Sequence, residues 1–348
     1  MTGERGAAAL NDLDTSWRTH VARWQQPNAW RAAWQAVNSF GAFLLTWCAI
    51  YVTLGISWWL TLSLATLAGL LLVRVFIIFH DCGHGSFFES RVANDALGIM
   101  TGFLAFVPYH HWRGEHAIHH GSAGDLERRG TGDVWTMTVS EYLASSPARR
   151  WAYRIVRSPV ILLSVGPLAL LLLWQRMPRA SATRRERHSV WWTNVGLLCM
   201  VAGLSAVFGI VPYILIQLTV LLVGGSVGVW LFYLQHQFED AYWERGKDWD
   251  FADAALKGSS YLELPPVLRW LTGNIGFHHV HHFNPKIPNY HLRPCHESAP
   301  AFRNVKPMRL AAGVRALRLR LWDESSKKLV GFRHLRPGKG RQPSQRRR

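Results

Sequence analysis

Two long stretches of this 348-residue chain, 38–73 and 189–238, contain no Asp, Glu, Lys or Arg. A charged side chain at the centre of a hydrocarbon layer costs about 2.5–3.5 kcal/mol on insertion scales, so charge-free runs of this length are what a bilayer selects. A crossing helix needs about 20 apolar residues, and each stretch is long enough for two such helices joined by a tight turn. The turns are expected near residues 55–57 and 209–212, where Gly55 and Ser57, and then Gly209 and Pro212, interrupt the apolar run. The pattern predicts an all-α integral membrane protein with four transmembrane helices in two hairpins.

Charge sets the orientation. Lys and Arg outnumber Asp and Glu by 39 to 22, yet neither predicted turn carries any of them. Every basic residue then falls on the side of the two termini, which the positive-inside rule assigns to the cytoplasm, in a bacterium that of the inner membrane. So basic a chain could also bind nucleic acid, but only 18% of its residues are charged and 18 are tryptophan, so no nucleic-acid partner is expected. Residues 1–37 read as a cytoplasmic or interfacial segment. Arg5, Arg18, Arg23 and Arg31 break any signal-peptide core, and Trp17, Trp24, Trp30 and Trp34 suit the headgroup level. The four cysteines show neither zinc-finger nor disulfide spacing.

Three shorter segments are less regular. Residues 96–109 are apolar but too few to cross, and are expected to dip in or lie flat. Residues 159–174 are interrupted by Gly166 and Pro167 and precede an Arg-rich loop, which favours a re-entrant segment over a fifth span. After a polar linker over 242–264 comes a basic tail. Within it residues 308–322 alternate Leu or Val with Arg, read as an amphipathic helix on an anionic membrane surface, and the last ten residues read as disordered.

Histidines mark the face on which the hairpins end. His80 and His84 follow the first hairpin, His116, His119 and His120 lie in a second cluster, His236 closes the second hairpin, and His278, His281 and His282 form a third cluster. Histidines three and four apart on a helix share one face, so each cluster can aim its imidazoles at a common centre. Nine imidazoles are too many for one tetrahedral zinc, and two metals fit better. Neutral imidazoles suit Fe, Zn, Cu or Ni, and activation of dioxygen would call for iron. Asp81, Glu115, Asp125 and Asp133 stand beside the clusters as candidate acceptors for the second N–H of a ligating imidazole. His110, His111, His279 and His291 lie outside the ligand spacing and are read as outer or surface groups.

The motifs His80-Asp81-Cys82-Gly83-His84, His116-x-x-His119-His120 and His278-x-x-His281-His282 resemble the three histidine boxes of the integral-membrane fatty acid desaturases. The likeness spans residues 40–297, and it divides the chain into the segment 1–37, a desaturase domain 38–300 and a tail 301–348. Gly132-Asp133-Val134-Trp135-Thr136, Tyr233-Leu234-Gln235-His236 and Ile287-Pro288-Asn289-Tyr290 make it most similar to the bacterial and plastid-type acyl-lipid delta-12 (omega-6) branch. The resemblance implies a non-haem diiron enzyme, with two Fe held by the nine histidines, that uses O2 and two electrons to remove two hydrogens from an acyl chain. Unactivated C–H bonds offer no acid or base handle, so a redox metal is what such a reaction needs. One departure stands out: Phe232 occupies the position where some acyl-CoA desaturases carry an asparagine four residues before the lone histidine.

Two other functional classes compete. A related diiron hydroxylase or ketolase, acting on lipids or carotenoids, would use the same ligands. A metal transporter would need ionisable groups inside its spans, and these are nearly bare of them. No haem-binding His-Pro-Gly-Gly motif and no iron–sulfur cysteine set is present, so the electrons are expected from a separate ferredoxin or small cytochrome with its reductase. The membrane lipid's acyl chain is expected to reach the site through a tunnel between the hairpins, past Leu72, Phe76, Val229 and Phe232.

Overall fold

The computed structural model describes residues 21–335. Helix α1 (Ala29–Thr53) begins where the Asn28 side chain accepts the Arg31 N–H, and α2 (Trp58–His84) begins where Ser57 caps the next turn. The turn between them lies where the sequence places it. Gly85, at φ 63°, ends α2 in the left-handed conformation that glycine adopts without a Cβ penalty. Twenty-seven residues rise about 40 Å, more than the roughly 30 Å of a hydrocarbon core. The last turn of α2, which holds His80 and His84, therefore stands clear of the lipid tails.

α3 (Arg91–Ala105) and α4 (Tyr109–Ser122) meet at 96°, with Phe106 at φ 59° in the corner. The chain then forms β1 (Met137–Thr138) and α5 (Pro147–Val156), followed by the broken segment α6 (Pro159–Leu162) and α7 (Val165–Leu172). The break has a direct cause. Pro167 has no N–H to offer the Leu163 carbonyl, and the Ser226 hydroxyl donates to that carbonyl instead, at 2.6 Å. α8 (Arg184–Phe208) opens on a capping box between Thr183 and Glu186, and Gly209 at φ 82° separates it from α9 (Ile210–His236).

By length and apolar character five segments qualify as spans: α1, α2, Pro159–Arg176, α8 and α9, with α3–α4 a sixth if the bent pair counts as one. Exposed tryptophans bound the apolar layer. Trp30, Trp34, Trp191 and Trp192 mark the histidine side, and Trp58 and Trp59, just past the turn, mark the other. The chain is thus a mostly α-helical, multi-pass membrane protein.

α2 and α9 form the centre of the bundle. A Cβ on Gly69 would lie 2.7 Å from Val223 Cβ, and one on Gly224 would lie 2.9 Å from the Gly69 carbonyl oxygen, so the two backbones touch. That contact aligns the helices so that His80, His84 and His236 emerge at the same end.

The cap departs from the sequence reading in two ways. It is not all-α. The linker contains α10 (Phe251–Lys257) and β2 (Tyr261–Leu262), and after α11 (His278–Phe283) and α12 (Asn289–Ser298) the chain adds β3 (Pro307–Met308), paired in parallel with β2. The helix expected over 308–322 is only α13 (Leu310–Ala316). β4 (Leu321–Asp323) follows, between β1 and β5 (Lys328–Val330), with Trp322 only 1% exposed. The physical reason is burial: in β4 Leu321 and Trp322 are buried between β1 and β5, and the alternating residues 317–320 form the turn and link that lead into it. Trp17 and the last ten residues lie outside the described part of the chain.

Candidate metal centre

Four elements converge on one spot above the apolar layer. The nine histidines form two groups, His80, His84, His116, His120 and His281 in one and His119, His236, His278 and His282 in the other; within each, one nitrogen per ring lies within 4.8 Å of the rest. Neighbouring histidines go to different groups: His119 and His120 separate, and so do His281 and His282. Successive helical side chains point about 100° apart, so one helix can feed two centres.

Hydrogen bonds fix several of the rings. His119 Nδ1 faces Asp133 Oδ1 at 2.6 Å, His80 Nδ1 faces Asp81 Oδ1 at 3.0 Å, and His236 Nδ1 faces the Gly258 carbonyl at 3.2 Å. All three partners only accept, so each Nδ1 carries the proton and each Nε2 is left as a bare lone pair. Those of His119 and His236 face each other, and further ring nitrogens close in beside them and in the other group. His236 Nε2 lies 3.1 Å from both His119 Nε2 and His278 Nε2, and His120 Nε2 lies 3.1 Å from both His116 Nε2 and His281 Nε2. Nitrogens at about 2.1 Å from one cation and about 90° apart would be about 3.0 Å from each other. The bare pair of His119 and His236 repels without a cation, and all four spacings fit a cation held between the rings.

Burial supports this state. It holds His278, His281 and His282 well below the ordinary imidazole range, and the neighbouring imidazoles push the same way. Neutral rings are what a metal requires.

Two of the four carboxylates expected beside the ligands are there. Asp81 is buried, and its Oδ2 accepts the Asn289 backbone N–H at 2.6 Å and the Asn289 side-chain amide at 2.8 Å. Asp133 is delivered by Gly132, at φ 71°, where a Cβ would lie 3.2 Å from His119 Cβ. The other two are corrected. Glu115 sits one helical step off the ligand face, 3.7 Å from His111 and 3.5 Å from Gln175. Asp125 lies beyond the end of α4 and is held by Arg128 at 2.5 Å and the Glu127 N–H at 2.8 Å. Asp133→Ala removes the acceptor that fixes His119 and should weaken metal affinity of the four-histidine group by about 10–100-fold. Iron titration of the purified variant measures this.

Sequence reasoning missed Asn289 as the group that fixes Asp81, although the motif containing it was visible. It also missed Trp112, whose ring stacks on His116 at 4.3 Å and 19°. Gly83 is the complement of Trp112, since a Cβ there would lie 2.8 Å from the indole. His111, His279 and His291 bond elsewhere, to the Arg179 N–H, to His296 and to the Trp24 carbonyl, while the His110 backbone N–H donates to Ser189. None of these four joins either group.

Of the tunnel candidates, Phe232 lies 5.1 Å from His119 and 5.6 Å from His236 between ring centroids, and Phe76 packs on Trp112 at 5.7 Å. Both wall the site. Val229 is half-buried on α9. Leu72 is buried against Gly224 in the α2–α9 contact, so its place there is packing.

Residues 56–309 match the family described as fatty acid desaturase. The chain belongs to that family. It is 43% identical over 316 residues to the fatty acid desaturase of Bacillus subtilis, covering 91% of this chain and 90% of that one. Two proteins of Synechocystis are more distant. The sn-1 oleoyl-lipid 12-desaturase is 26% identical over 76% of this chain and 72% of its own length. The sn-1 acyl-lipid omega-3 desaturase (ferredoxin) is 26% identical over 70% and 68%. This desaturase is therefore a membrane-bound, O2-dependent oxidoreductase of lipid metabolism that draws on an external electron donor. Its two histidine groups are compatible with a pair of irons.

Proposed function

We propose that this desaturase places a cis double bond in a lipid-linked acyl chain, with His80, His84, His116, His120 and His281 holding one iron and His119, His236, His278 and His282 the other. The observation that carries this reading is the convergence of nine imidazoles in two groups whose ring nitrogens close to 3.1 Å, with the bare Nε2 atoms of His119 and His236 facing each other, an arrangement that a cation in each group would satisfy. Bound there, the iron pair would supply the O2-derived oxidant that takes two hydrogens from neighbouring methylenes. The protein's own groups do the rest. Asp81 and Asp133 hold the rings in the tautomer that leaves Nε2 free, and Phe76, Trp112 and Phe232 keep water from the reacting carbons while presenting an apolar wall to the chain. Phe232 cannot bind metal or water as an asparagine would, so the second iron has four protein ligands and the first has five.

The delta-12 (omega-6) position is the reading that Gly132–Thr136 and Tyr233–His236 favour by their likeness to that branch. Overall identity does not choose, since the two Synechocystis proteins are equally similar and are named for different positions. For topology we favour four crossings, by α1, α2, α8 and α9, with 159–174 re-entrant and the histidine face cytoplasmic. A ferredoxin or small cytochrome would then dock on a basic surface that attracts acidic carriers.

Expression in a host without the enzyme, with mass analysis of its lipids, tests the reaction. Desaturation yields acyl chains lighter by two hydrogens. A chain heavier by one oxygen would instead establish the hydroxylase or ketolase reading.

A further inference from the structure

We propose that a groove between α3 and α8 is a site for one anionic phospholipid, separate from the route of the reacting chain. The groove has a volume of about 640 Å³ and two kinds of lining. Arg184, Arg185 and His188 stand at its outer end, and Ile99, Phe103 and Trp192 line the part below. On α8 the order is set by helical spacing. Residues 184, 188 and 192 follow one another at four-residue intervals on one face, so Arg184 lies about 12 Å and the His188 ring about 6 Å above the indole. Trp192 is 70% exposed and belongs to the tryptophans that mark the histidine-side boundary. Cations are therefore at headgroup level and apolar surface begins where acyl chains begin, which is the profile of a phospholipid.

The groove is bounded. At its inner end Phe103 lies over Gly196, where a Cβ would come within 2.4 Å of the ring. At its outer end the His110 N–H donates to Ser189 Oγ at 3.0 Å and ties α4 to α8. From Ser189 to Gly196 is about 10 Å of helix, room for the upper methylenes of one lipid rather than a whole chain. The charge is one-sided. Asp95 pairs with Arg185 at 3.0 Å, and it is shared with Arg113 at 3.3 Å and the Tyr109 hydroxyl at 3.1 Å, while Glu186 on α8 pairs with Arg179. A phosphate would complete the balance. A choline head would bring its own cation against Arg184 and Arg185, so the fit is to a lipid whose headgroup carries net negative charge.

Tyr109 forms the wall toward the histidines. Its hydroxyl donates to the Cys82 carbonyl at 2.7 Å, between His80 and His84; Phe79 stands behind it at a ring separation of 5.8 Å, and Trp112 behind Phe79 at 4.8 Å. A lipid in the groove is thus shut off from the metal centre, but braces the helix turn that carries the first histidine pair. Nothing in this inference depends on the reaction being desaturation.

Native mass spectrometry of the full-length protein in detergent, with phosphatidylglycerol, phosphatidylcholine or inorganic phosphate added, tests it. The wild type should retain one phosphatidylglycerol, and phosphatidylcholine far less. Arg184→Glu with His188→Glu should lower that retention by about tenfold or more. Arg309→Glu with Lys306→Gln, an equal charge change at exposed residues of the tail, should not. If the double variant does not fold, Arg184→Gln, at an exposed position, gives the same test with a loss of about threefold. Equal retention by wild type and variant, equal retention of phosphatidylcholine, or full displacement by inorganic phosphate would each overturn the proposal.

Discussion

His282→Ala lowers bound iron from about two ions per chain to about one, and desaturation falls on the order of a thousandfold or more. The reason is numerical. His282 is one of four imidazoles in its group, and its loss leaves three with no further protein donor, because Phe232 stands where another ligand could have been. His281→Ala, one residue earlier, acts on the other group and leaves it four imidazoles. That variant is expected to lose activity as completely while keeping much of both irons. His279→Ala supplies the control. Its ring is as buried as the others but bonds to His296, so the variant loses packing stability while retaining the metal. Elemental analysis of the purified proteins gives the metal-to-protein ratio without reference to turnover. Parallel iron loss in the His281 and His282 variants would remove the basis for dividing the nine histidines into these two groups.

That division was not legible in the sequence, although the nine residues were. Spacings of three and four declare a shared helical face, and they found every member of both groups except the lone His236, which is marked instead by its place at the end of the second hairpin. Which imidazole serves which centre depends on how α4 and α11 are rotated toward each other, and no local pattern encodes that. The carboxylates divide along the same line. Asp81 and Asp133 meet their histidines, whereas Glu115 turns to His111 and Asp125, beyond the end of α4, pairs with Arg128, and sequence proximity alone does not separate the two outcomes. The spans were legible because exclusion of charge leaves a long uninterrupted signature. The segment 308–322 was misread because alternating Leu and Arg is amphipathic under either period, and the pairing of β4 with β1, which no local pattern encodes, ends the helix early. Asn289 escaped notice because its function lies 208 residues away, at Asp81.

The second large effect is expected far from any histidine. Gly224→Leu puts a branched side chain where a single Cβ would already lie 2.9 Å from the Gly69 carbonyl oxygen and 3.3 Å from Leu72 Cδ2. Backbone cannot yield as a flexible side chain does, so α2 and α9 must part or shear. Overpacking in a core costs about 1–3 kcal/mol, and against backbone the upper end or beyond is expected. The lever arm adds to this. His236 lies twelve residues beyond Gly224 and His80 eleven beyond Gly69, about 16–18 Å of rigid helix, so a small splay at the crossing becomes a larger displacement at the imidazoles. Iron content should fall together with the thermal midpoint. Gly228→Leu distinguishes crowding from loss of glycine as such. It lies one turn further along α9, a Cβ there meets nothing within 4 Å, and the variant should keep both its iron and its midpoint. The same contact limits the substrate path. With the backbones touching at Gly69 and Gly224, an acyl chain passing Phe76 and Phe232 has to leave the α2–α9 seam before that level, which makes the crossing the floor of any tunnel between the hairpins. A Gly224→Leu protein with unchanged midpoint, unchanged iron and unchanged chain-length preference would show that neither the site nor the substrate path depends on this crossing.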